Sequence, residues 1–347
     1  MMTTSSPTAL AGKSSAKGII SVEKLTKTFG QQRAVDEVTF DVKEGEIFGF
    51  LGPNGAGKST TINMLTTLIP ITSGKAEVCG FDVGKHPNEV RRNVGVVPQD
   101  YTADEDMTGL QNILLCADLY GIPRSNSKDH AIELLSLVEL QDAKDRKVST
   151  YSGGMRRRLE LACGLINYPK LLFLDEPTLG LDVQTRAAVW KYIRTLKEQY
   201  GMTLFVTTHY LEEADSLCDR IAIIDHGHII KTGTPQQLKD GVGGDVIVVG
   251  VSEGQPDISA DIAKIGLVKD VKKTDNDYRI KTEKGEEASP LIMGLIQSKG
   301  LHVTRISLTR PTLDEAYLEL TGRTLREEET NKWSMRSQRR TMRTARS

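Results

Sequence analysis

One run of eight residues sets the architecture of this chain, Gly52-Pro53-Asn54-Gly55-Ala56-Gly57-Lys58-Ser59. It follows a short apolar segment (47–51) typical of a buried strand and precedes a segment (58–69) with helical periodicity. A glycine-rich turn in this position offers backbone N–H groups to phosphate oxygens, together with the positive end of the helix. We therefore expect Lys58 to reach the terminal phosphates of a nucleotide and Ser59 to coordinate Mg²⁺. The alternative is an ordinary glycine turn before a helix.

A second segment with chemical meaning is residues 171–176, which read Leu-Leu-Phe-Leu-Asp-Glu. The four apolar residues predict a buried strand whose carboxyl end carries two acids, at the edge where α/β sheets bind ligands. Asp175 is the candidate Mg²⁺ ligand, directly or through water, and Glu176 the candidate to activate or orient an attacking water. Taken alone, a strand that ends in acids is commonplace. Beside the lysine loop, the pair favours nucleotide hydrolysis.

The composition predicts a reduced protein that is soluble and long enough for two domains. The 347 residues are 38% hydrophobic, and 45 Lys and Arg nearly balance 46 Asp and Glu. The four cysteines form no C-x-x-C pair, which disfavours a disulfide scaffold or a zinc site. No apolar run approaches the ~18–20 residues needed to cross a bilayer. Any membrane role is therefore expected to act through a partner.

The chain pattern predicts an α/β domain over residues 19–238. Strands alternate with helices there, as expected of a largely parallel sheet flanked by helices. Two strands at its start predict an antiparallel β subdomain, and residues 100–168 predict a helical subdomain with helices at 131–140 and 152–166. Residues 1–18 have little to bury and are expected to be disordered.

A second unit is predicted over residues 246–322, after a glycine-containing linker at 239–245. Its elements follow the β-α-β-β-α-β order of a small α+β, ferredoxin-like domain. We expect its second helix to begin at Pro290 and a last helix to cover 312–320. Eight basic and three acidic residues follow residue 322, so residues 323–347 are predicted to be a basic, disordered tail.

Together these segments resemble an ATP-binding cassette (ABC) ATPase, a P-loop enzyme, over residues 19–238. Five further segments stand in the order of that family, and they are Phe29, Gln99, Ser152-Gly153-Gly154, Leu181-Asp182 and His209. Many cassettes carry Leu and Gln around the Ser-Gly-Gly core, where this chain has Tyr151 and Met155. Residues 150–159 and 310–322 are instead similar to the daunorubicin-resistance type of drug and lipid export ATPase.

The resemblance implies a role for each segment. Phe29 provides a stacking platform for adenine, Gln99 senses Mg²⁺ and water, and His209 contacts the γ-phosphate. Residues 152–154 bind ATP held by a second copy, which gives a head-to-tail homodimer. Each residue also has a structural alternative, such as a core aromatic for Phe29 or a simple helix cap for Ser152. The resemblance implies that ATP is bound by Phe29, Gly52, Pro53, Asn54, Gly55, Ala56, Gly57, Lys58, Ser59, Thr60, Ser152, Gly153, Gly154 and Asp182. The implied catalytic residues are Glu176, His209 and Gln99. The implied metal ligands are Ser59, Gln99 and Asp175.

The resemblance also implies separate transmembrane permease subunits, with residues 100–150 as the docking surface. The protein is then expected at the cytoplasmic face of the membrane, without nucleic acid, exporting a drug-like or lipid-like cargo that the permease selects. A soluble ABC-type ATPase acting in translation, repair or cofactor assembly is the alternative, and a nucleotide-binding regulator with little turnover is another. Three consecutive arginines, 156–158, are expected to form a solvated charged face, and the alternative is contact with an anionic partner or with carboxylates.

Overall fold

The computed structural model describes residues 18–241, 244–252, 256–274, 277–322 and residue 325. Most of the two segments predicted to be disordered, 1–18 and 323–347, therefore lies outside the described residues. The first unit contains, in chain order, β1 (Ile20–Phe29), β2 (Gln32–Val42), β3 (Ile47–Leu51), α1 (Lys58–Leu65), β4 (Ser73–Val78), β5 (Phe81–Asp82), α2 (Pro87–Asn93), β6 (Val94–Val97), α3 (Gly109–Leu119), α4 (Arg124–Leu137), α5 (Gly153–Leu165), β7 (Leu171–Asp175), α6 (Val183–Tyr200), β8 (Thr203–Thr208), α7 (Leu211–Leu217), β9 (Arg220–Asp225), β10 (His228–Gly233) and α8 (Pro235–Asp240).

The main sheet of this unit has the strand order β10-β9-β3-β8-β7-β6. The strands from β9 to β6 pair in parallel, and β10 pairs antiparallel to β9. Strands β3 and β7 are buried along their whole length, as their nearly continuous apolar sequences require when helices cover both faces. The carboxyl ends of β3, β7 and β8 consequently meet at one edge, which is where the candidate site lies.

A smaller antiparallel sheet, with the order β2-β1-β4-β5, packs against the main sheet. The two sheets share one apolar core. At its centre the ring of Phe40, from β2, lies 5.7 Å from Phe48 and 6.1 Å from Phe205, both in the main sheet. These aromatic contacts bring the turn between β1 and β2 to the same edge as the glycine loop.

The helical subdomain contains α3, α4 and α5. Helix α4 spans Arg124–Leu137, so the predicted helix at 131–140 starts too late and ends too late. Its end is set by Glu139, which has a φ of 55° in the left-handed region. Helix α1 likewise ends at Leu65, four residues before the predicted end, because Thr67 has a φ of 63°. In both cases the helix ends before a residue in the left-handed region, and helical periodicity in the sequence does not reveal such a residue.

The second unit contains β11 (Asp245–Val251), α9 (Ser259–Ile262), β12 (Val268–Thr274), β13 (Asp277–Thr282), α10 (Gly285–Ser298), β14 (Val303–Thr309) and α11 (Leu313–Thr321). Its sheet has the order β12-β13-β11-β14, and every pairing is antiparallel. Helices α9 and α10 contribute Ile262, Ile292 and Ile296 to the core of this sheet. This is the ferredoxin-like arrangement, so the predicted fold class, a P-loop α/β unit followed by a small α+β unit, is confirmed.

Helix α10 differs from its predicted start at Pro290. It begins five residues earlier, at Gly285, and Pro290 lies inside it. A proline there leaves one backbone carbonyl without its usual N–H donor. The first turn is fixed from outside the helix, because Gly285 N donates to Asp245 Oδ2 at 2.7 Å and Arg310 forms an ion pair with Glu286. These tertiary contacts offset the low helix propensity of Pro290.

The last helix, α11, packs on the first unit. Its buried residues Leu313, Ala316 and Tyr317 belong to the same core as Leu217 of α7 and Leu238 of α8. The predicted linker at 239–245 is also partly regular structure, since α8 extends to Asp240 and β11 begins at Asp245. The domain boundaries remain predictions, but the chain after β14 returns to the first unit.

Candidate active site

The glycine loop joins β3 to α1 along a path that only glycine permits at two positions. Gly57 has a φ of 107°, and a Cβ there would lie 2.6 Å from the backbone oxygen of Ala34. A Cβ on Gly52 would lie 2.2 Å from the backbone oxygen of Ile224. Because both contacts are with backbone atoms that cannot easily move, larger residues are excluded and the loop keeps its tight curvature.

Lys58 is buried at the start of α1 and is held by three oxygens. Its Nζ donates to the carbonyl oxygens of Gly52 at 2.7 Å and Pro53 at 3.2 Å. It also lies 3.0 Å from Oε1 of Glu176, with both side chains about 5% exposed or less. An ammonium group so desolvated is a strong electrostatic partner for added negative charge.

Glu176 follows β7 directly and is fixed from several directions. Its backbone has a φ of 48°, an unusual value for a residue other than glycine. Its N–H donates to the carbonyl oxygen and the hydroxyl of Thr207, and Oε2 lies 3.1 Å from Nδ1 of His209. Burial raises the pKa of Glu176, but the His209 hydrogen bond and the Lys58 charge outweigh burial and lower it to about 2. The side chain is therefore a carboxylate at neutral pH.

Asp175 lies one residue earlier, at the end of β7, and is also buried. Its Oδ1 accepts a hydrogen bond from the Thr207 hydroxyl on the neighbouring strand β8. The two adjacent acids thus share contacts with one threonine. The strand order, together with these bonds, keeps both carboxylates at the carboxyl edge of the main sheet.

A cavity of about 560 Å³ opens beside these groups. Its lining includes Phe29, Lys58, Ser59, Gln99 and Glu176, so the structure brings together residues spread over about half of the chain. Phe29 is 52% exposed, which makes the core-aromatic alternative wrong. The Lys27 ammonium lies 5.0 Å from the centre of its ring. The other face of the ring is a suitable surface for stacking.

The Gln99 segment is anchored by an arginine that we expected to be solvated. Arg157, on α5, is 1% exposed. Its guanidinium donates to the carbonyl oxygens of Pro98 at 2.7 Å and Gln99 at 2.8 Å. The predicted solvated face is therefore wrong for this residue, because two backbone acceptors from a distant segment replace water. Arg156 and Arg158 are more exposed and pair with Glu105 and Glu139.

Residues 152–154 and Asp182 lie apart from the described lining of this cavity. Ser152 caps α5, its Oγ accepting from Met155 N at 3.3 Å, and Asp182 caps α6 by accepting from Thr185 N at 2.9 Å. The two helix starts touch, since a Cβ on Gly154 would lie 2.4 Å from Thr185 Cγ2. These residues therefore form a second group, exposed and held mainly by local hydrogen bonds.

Tyr151 and Met155, the two departures noted in the sequence, face the interior. Tyr151 is buried and donates its hydroxyl hydrogen bond to Ala143 O at 2.7 Å. Met155 is partly buried against the core of the first unit. In this chain, the two side chains support the start of α5 by packing.

Arg33 and His226 also line the cavity, and no sequence motif includes them. His226 lies in the turn between β9 and β10 and Arg33 lies in β2, and this turn contacts both the glycine loop and β2, since Gly227 N donates to Ala56 O at 3.0 Å and Asp36 N donates to Gly227 O at 2.9 Å. No local pattern marks either residue, since their position depends on long-range hydrogen bonds that join β2, the turn after β9 and the glycine loop.

Comparison with known proteins identifies both units. The profile of the ABC transporter family matches residues 35–179, and the profile of the DrrA1-3-like ATP-binding protein C-terminal domain matches residues 233–321. The daunorubicin resistance ATP-binding protein DrrA2 of Streptomyces coeruleorubidus is 41% identical over 307 residues, covering 87% of this chain and 95% of that protein. The linearmycin resistance ATP-binding protein LnrL of Bacillus subtilis (strain 168) is 36% identical, covering 89% of this chain and all of that protein.

Other matches cover a smaller share of the chain. The Nod factor export ATP-binding protein I of Ralstonia nicotianae is 42% identical over 232 residues, or 67% of this chain and 72% of that protein. The dimeric post-hydrolysis structure of the ATP-binding cassette MJ0796 with ADP and Pi has a TM-score of 0.57 and 26% identity, and it covers 62% of this chain and 98% of that one. The chain therefore belongs to the ABC transporter family, as an ATP-binding, ATP-hydrolysing subunit with a DrrA-type C-terminal domain.

Proposed function

We propose that this protein powers the export of a drug-like or lipid-like molecule through separate transmembrane subunits. Relatives matched along most of the chain are named for resistance to daunorubicin and linearmycin, and another for Nod factor export. These names support an export role and do not favour a soluble ATPase without a transporter. The observation that carries the enzymatic part is the contact of Lys58 and His209 with the two oxygens of Glu176 beside the cavity.

In the proposed mechanism, Lys58 and the loop N–H groups bind the phosphates of ATP, with Phe29 against the adenine. Ser59, Gln99 and Asp175 offer a hydroxyl, an amide and a carboxylate oxygen, the donor set that suits Mg²⁺. When bound, Mg²⁺ supplies charge neutralisation at the phosphates. Glu176, ionised and held on both oxygens, orients or deprotonates the attacking water, and His209 contacts the γ-phosphate.

The second group of residues is proposed to act on a neighbouring copy. Ser152 is exposed at the N-terminus of α5, and the positive end of a helix is suited to bind an anion. Asp182 is exposed beside it at the start of α6. We propose that residues 152–154 complete the ATP site of a second copy, so that two nucleotides are enclosed in a head-to-tail homodimer. ATP binding then closes the dimer, and hydrolysis releases it.

Residues 100–150 are the proposed docking surface for the permease, at the cytoplasmic face of the membrane. Within the described part of the chain, every helix is too short or too polar to cross a lipid bilayer. Leu115 and Leu119 on α3, and Tyr120 directly after it, have large exposed fractions, 79% for Leu119. Exposed apolar side chains clustered on one helix suit burial against a partner.

Co-purification from membranes tests the transport assignment. We expect the tagged chain to retain a polytopic membrane protein through detergent extraction, and Leu119→Glu, a substitution at the exposed α3 position, to reduce this retention while phosphate release by the isolated subunit persists. Leu68→Glu, at a similarly exposed leucine outside residues 100–150, is the control. Recovery of an active ATPase without a membrane partner from its native cell would contradict the export assignment.

A further inference from the structure

One buried acid in the first unit has no part in the proposed mechanism. Glu213, on α7, is completely buried. Its Oε1 accepts hydrogen bonds from the Thr178 hydroxyl at 2.7 Å and from the Trp190 indole Nε1 at 2.8 Å. Burial raises the pKa of Glu213, opposed by hydrogen bonds from Thr208, Thr178 and Trp190 and by the charge of Arg186. Burial of such a polar group destabilises the fold unless its hydrogen-bond partners stay in place.

Each partner of Glu213 belongs to a different functional segment. Thr178 is two residues after the carboxylate Glu176. Trp190 is on α6, the helix that Asp182 caps. Glu213 itself lies in the first turn of α7, four residues after His209. The carboxyl group of Glu213 therefore joins three elements. They are the segment after Glu176, helix α6 next to the proposed dimer contact, and helix α7, which follows His209.

A second set of contacts also connects α6 with the segment that contains His209. The guanidinium of Arg186, on α6, lies 4.5 Å from the ring centre of Tyr210, and that ring lies 4.1 Å from the ring of His209. His209 in turn contacts Glu176. Helix α6 thus contacts Glu213, on the helix after the histidine, and through Arg186 it contacts the tilted ring pair of Tyr210 and His209, so a displacement of α6 has two physical routes to the reactive carboxylate.

We propose that Glu213 is a positioning residue for ATP hydrolysis, which holds His209 against Glu176 and makes this geometry depend on the placement of α6. The inference rests on the proposed roles of His209 and Glu176. The reason is geometric, because a misplacement of about 1 Å at a reacting group is enough to slow a reaction strongly. Asp182, which caps α6, belongs to the proposed dimer contact. Binding of a second copy could therefore change the position of α6 and, through it, the position of His209.

The test compares Glu213→Gln with Glu212→Gln, which makes the same change at the adjacent, exposed position of α7. We expect Glu213→Gln to lower kcat about tenfold, with the KM for ATP and the thermal unfolding midpoint close to those of the wild type. Glu212→Gln should leave all three unchanged. Wild-type kcat in Glu213→Gln, or a loss that follows a large fall in the midpoint, would overturn the positioning role.

A double-mutant cycle with His209→Ala separates this inference from the proposed function. If Glu213 acts through His209, adding Glu213→Gln to His209→Ala should reduce kcat no further. A full additional tenfold loss would overturn the linkage, while His209 would keep its role. Wild-type turnover in His209→Ala itself would instead remove the proposed role of His209.

A nucleotide-free readout is the indole N–H resonance of Trp190, one of two tryptophans in the chain. It is assigned with Trp333→Phe. We expect Glu213→Gln to shift both this resonance and the ring signals of His209, and Glu212→Gln to shift neither. If Glu213→Gln fails to fold, Trp190→Phe removes the same hydrogen bond while it keeps an aromatic ring, and it should show the same fall in kcat with KM retained. Unmoved His209 signals in whichever variant folds would overturn the proposal.

Discussion

The residues around the cavity and those at the starts of α5 and α6 are held in opposite ways. Lys58 and Glu176 are buried and linked to each other through long-range contacts. Ser152 and Asp182 are exposed and held by bonds to residues three positions away. A buried ion pair is already organised within one chain, whereas an exposed helix start is organised only locally. We therefore expect the first group to bind nucleotide alone and the second to act when another copy approaches.

The largest effect is expected for Lys58→Ala. It removes the ammonium group from a desolvated site and leaves Glu176 without its partner, a change that costs about 2–5 kcal/mol in comparable sites. ATP binding should weaken by about 30-fold or more by that measure, and phosphate release should be lost. Lys85→Ala, at an exposed lysine of the same unit, is the control. Equilibrium binding of a fluorescent ATP analogue checks the prediction, and wild-type affinity would contradict it.

Glu176→Gln should separate binding from hydrolysis. The amide keeps the size of the side chain but cannot take a proton from water, and such roles contribute roughly 10²–10⁴-fold to rates. We expect turnover to fall within that range while ATP still binds, so that a nucleotide-bound dimer accumulates in size-exclusion chromatography. Glu212→Gln is again the control. Turnover near the wild-type rate would remove Glu176 from its proposed role.

Ser152→Arg tests the exposed group. The added bulk and charge should block dimer closure and turnover, while a single chain binds ATP within a few-fold of wild-type affinity, because Ser152 lies outside the described lining of the cavity. Ser125→Arg, on the exposed first turn of α4, is the control. Sizing in the presence of ATP is the measurement. A large loss of binding by isolated chains would contradict the division between the two groups.

A smaller effect is expected for Arg157→Met, which keeps much of the apolar stem but leaves the carbonyls of Pro98 and Gln99 without donors. Unsatisfied buried acceptors cost about 1–3 kcal/mol, so the thermal midpoint should fall. Turnover should also fall, because the Gln99 segment lines the cavity. Arg156→Met, at a more exposed arginine, is the control. Unchanged turnover in Arg157→Met would show that Gln99 does not depend on this anchor.

The smallest effect concerns acid stability. The pKa of Glu176 is lowered from 4.5 to about 2, so its stabilising contribution is present above pH 4.5 and is lost as the pH falls toward 2. Thermal unfolding across this window should therefore bring the wild-type midpoint closer to that of Glu176→Gln. A constant difference between the two proteins would show that ionised Glu176 does not stabilise the fold.

The sequence predicted well what neighbouring residues encode. Residues 52–59 and 171–176 are continuous segments, and the strands, turn and helix around them were predicted from sequence order, while the roles of their residues remain predictions. It predicted poorly what depends on distant partners. Arg157 is buried because two carbonyls some 58 residues away accept its hydrogen bonds. Strand β10, with its mostly exposed residues, was also not predicted, since its pairing with β9 supplies what its pattern lacks.

The return of α11 to the first unit has a practical consequence for hybrid proteins. Leu313, Ala316 and Tyr317 fill space beside α7 and α8, so the segment between α8 and α11 is anchored at both of its ends. A hybrid protein joined at a single point after α8 would combine the last helix of one relative with the α7 and α8 surface of another. Successful exchange between relatives should therefore transfer α11 together with the α7 and α8 surfaces that receive it, or leave all three behind.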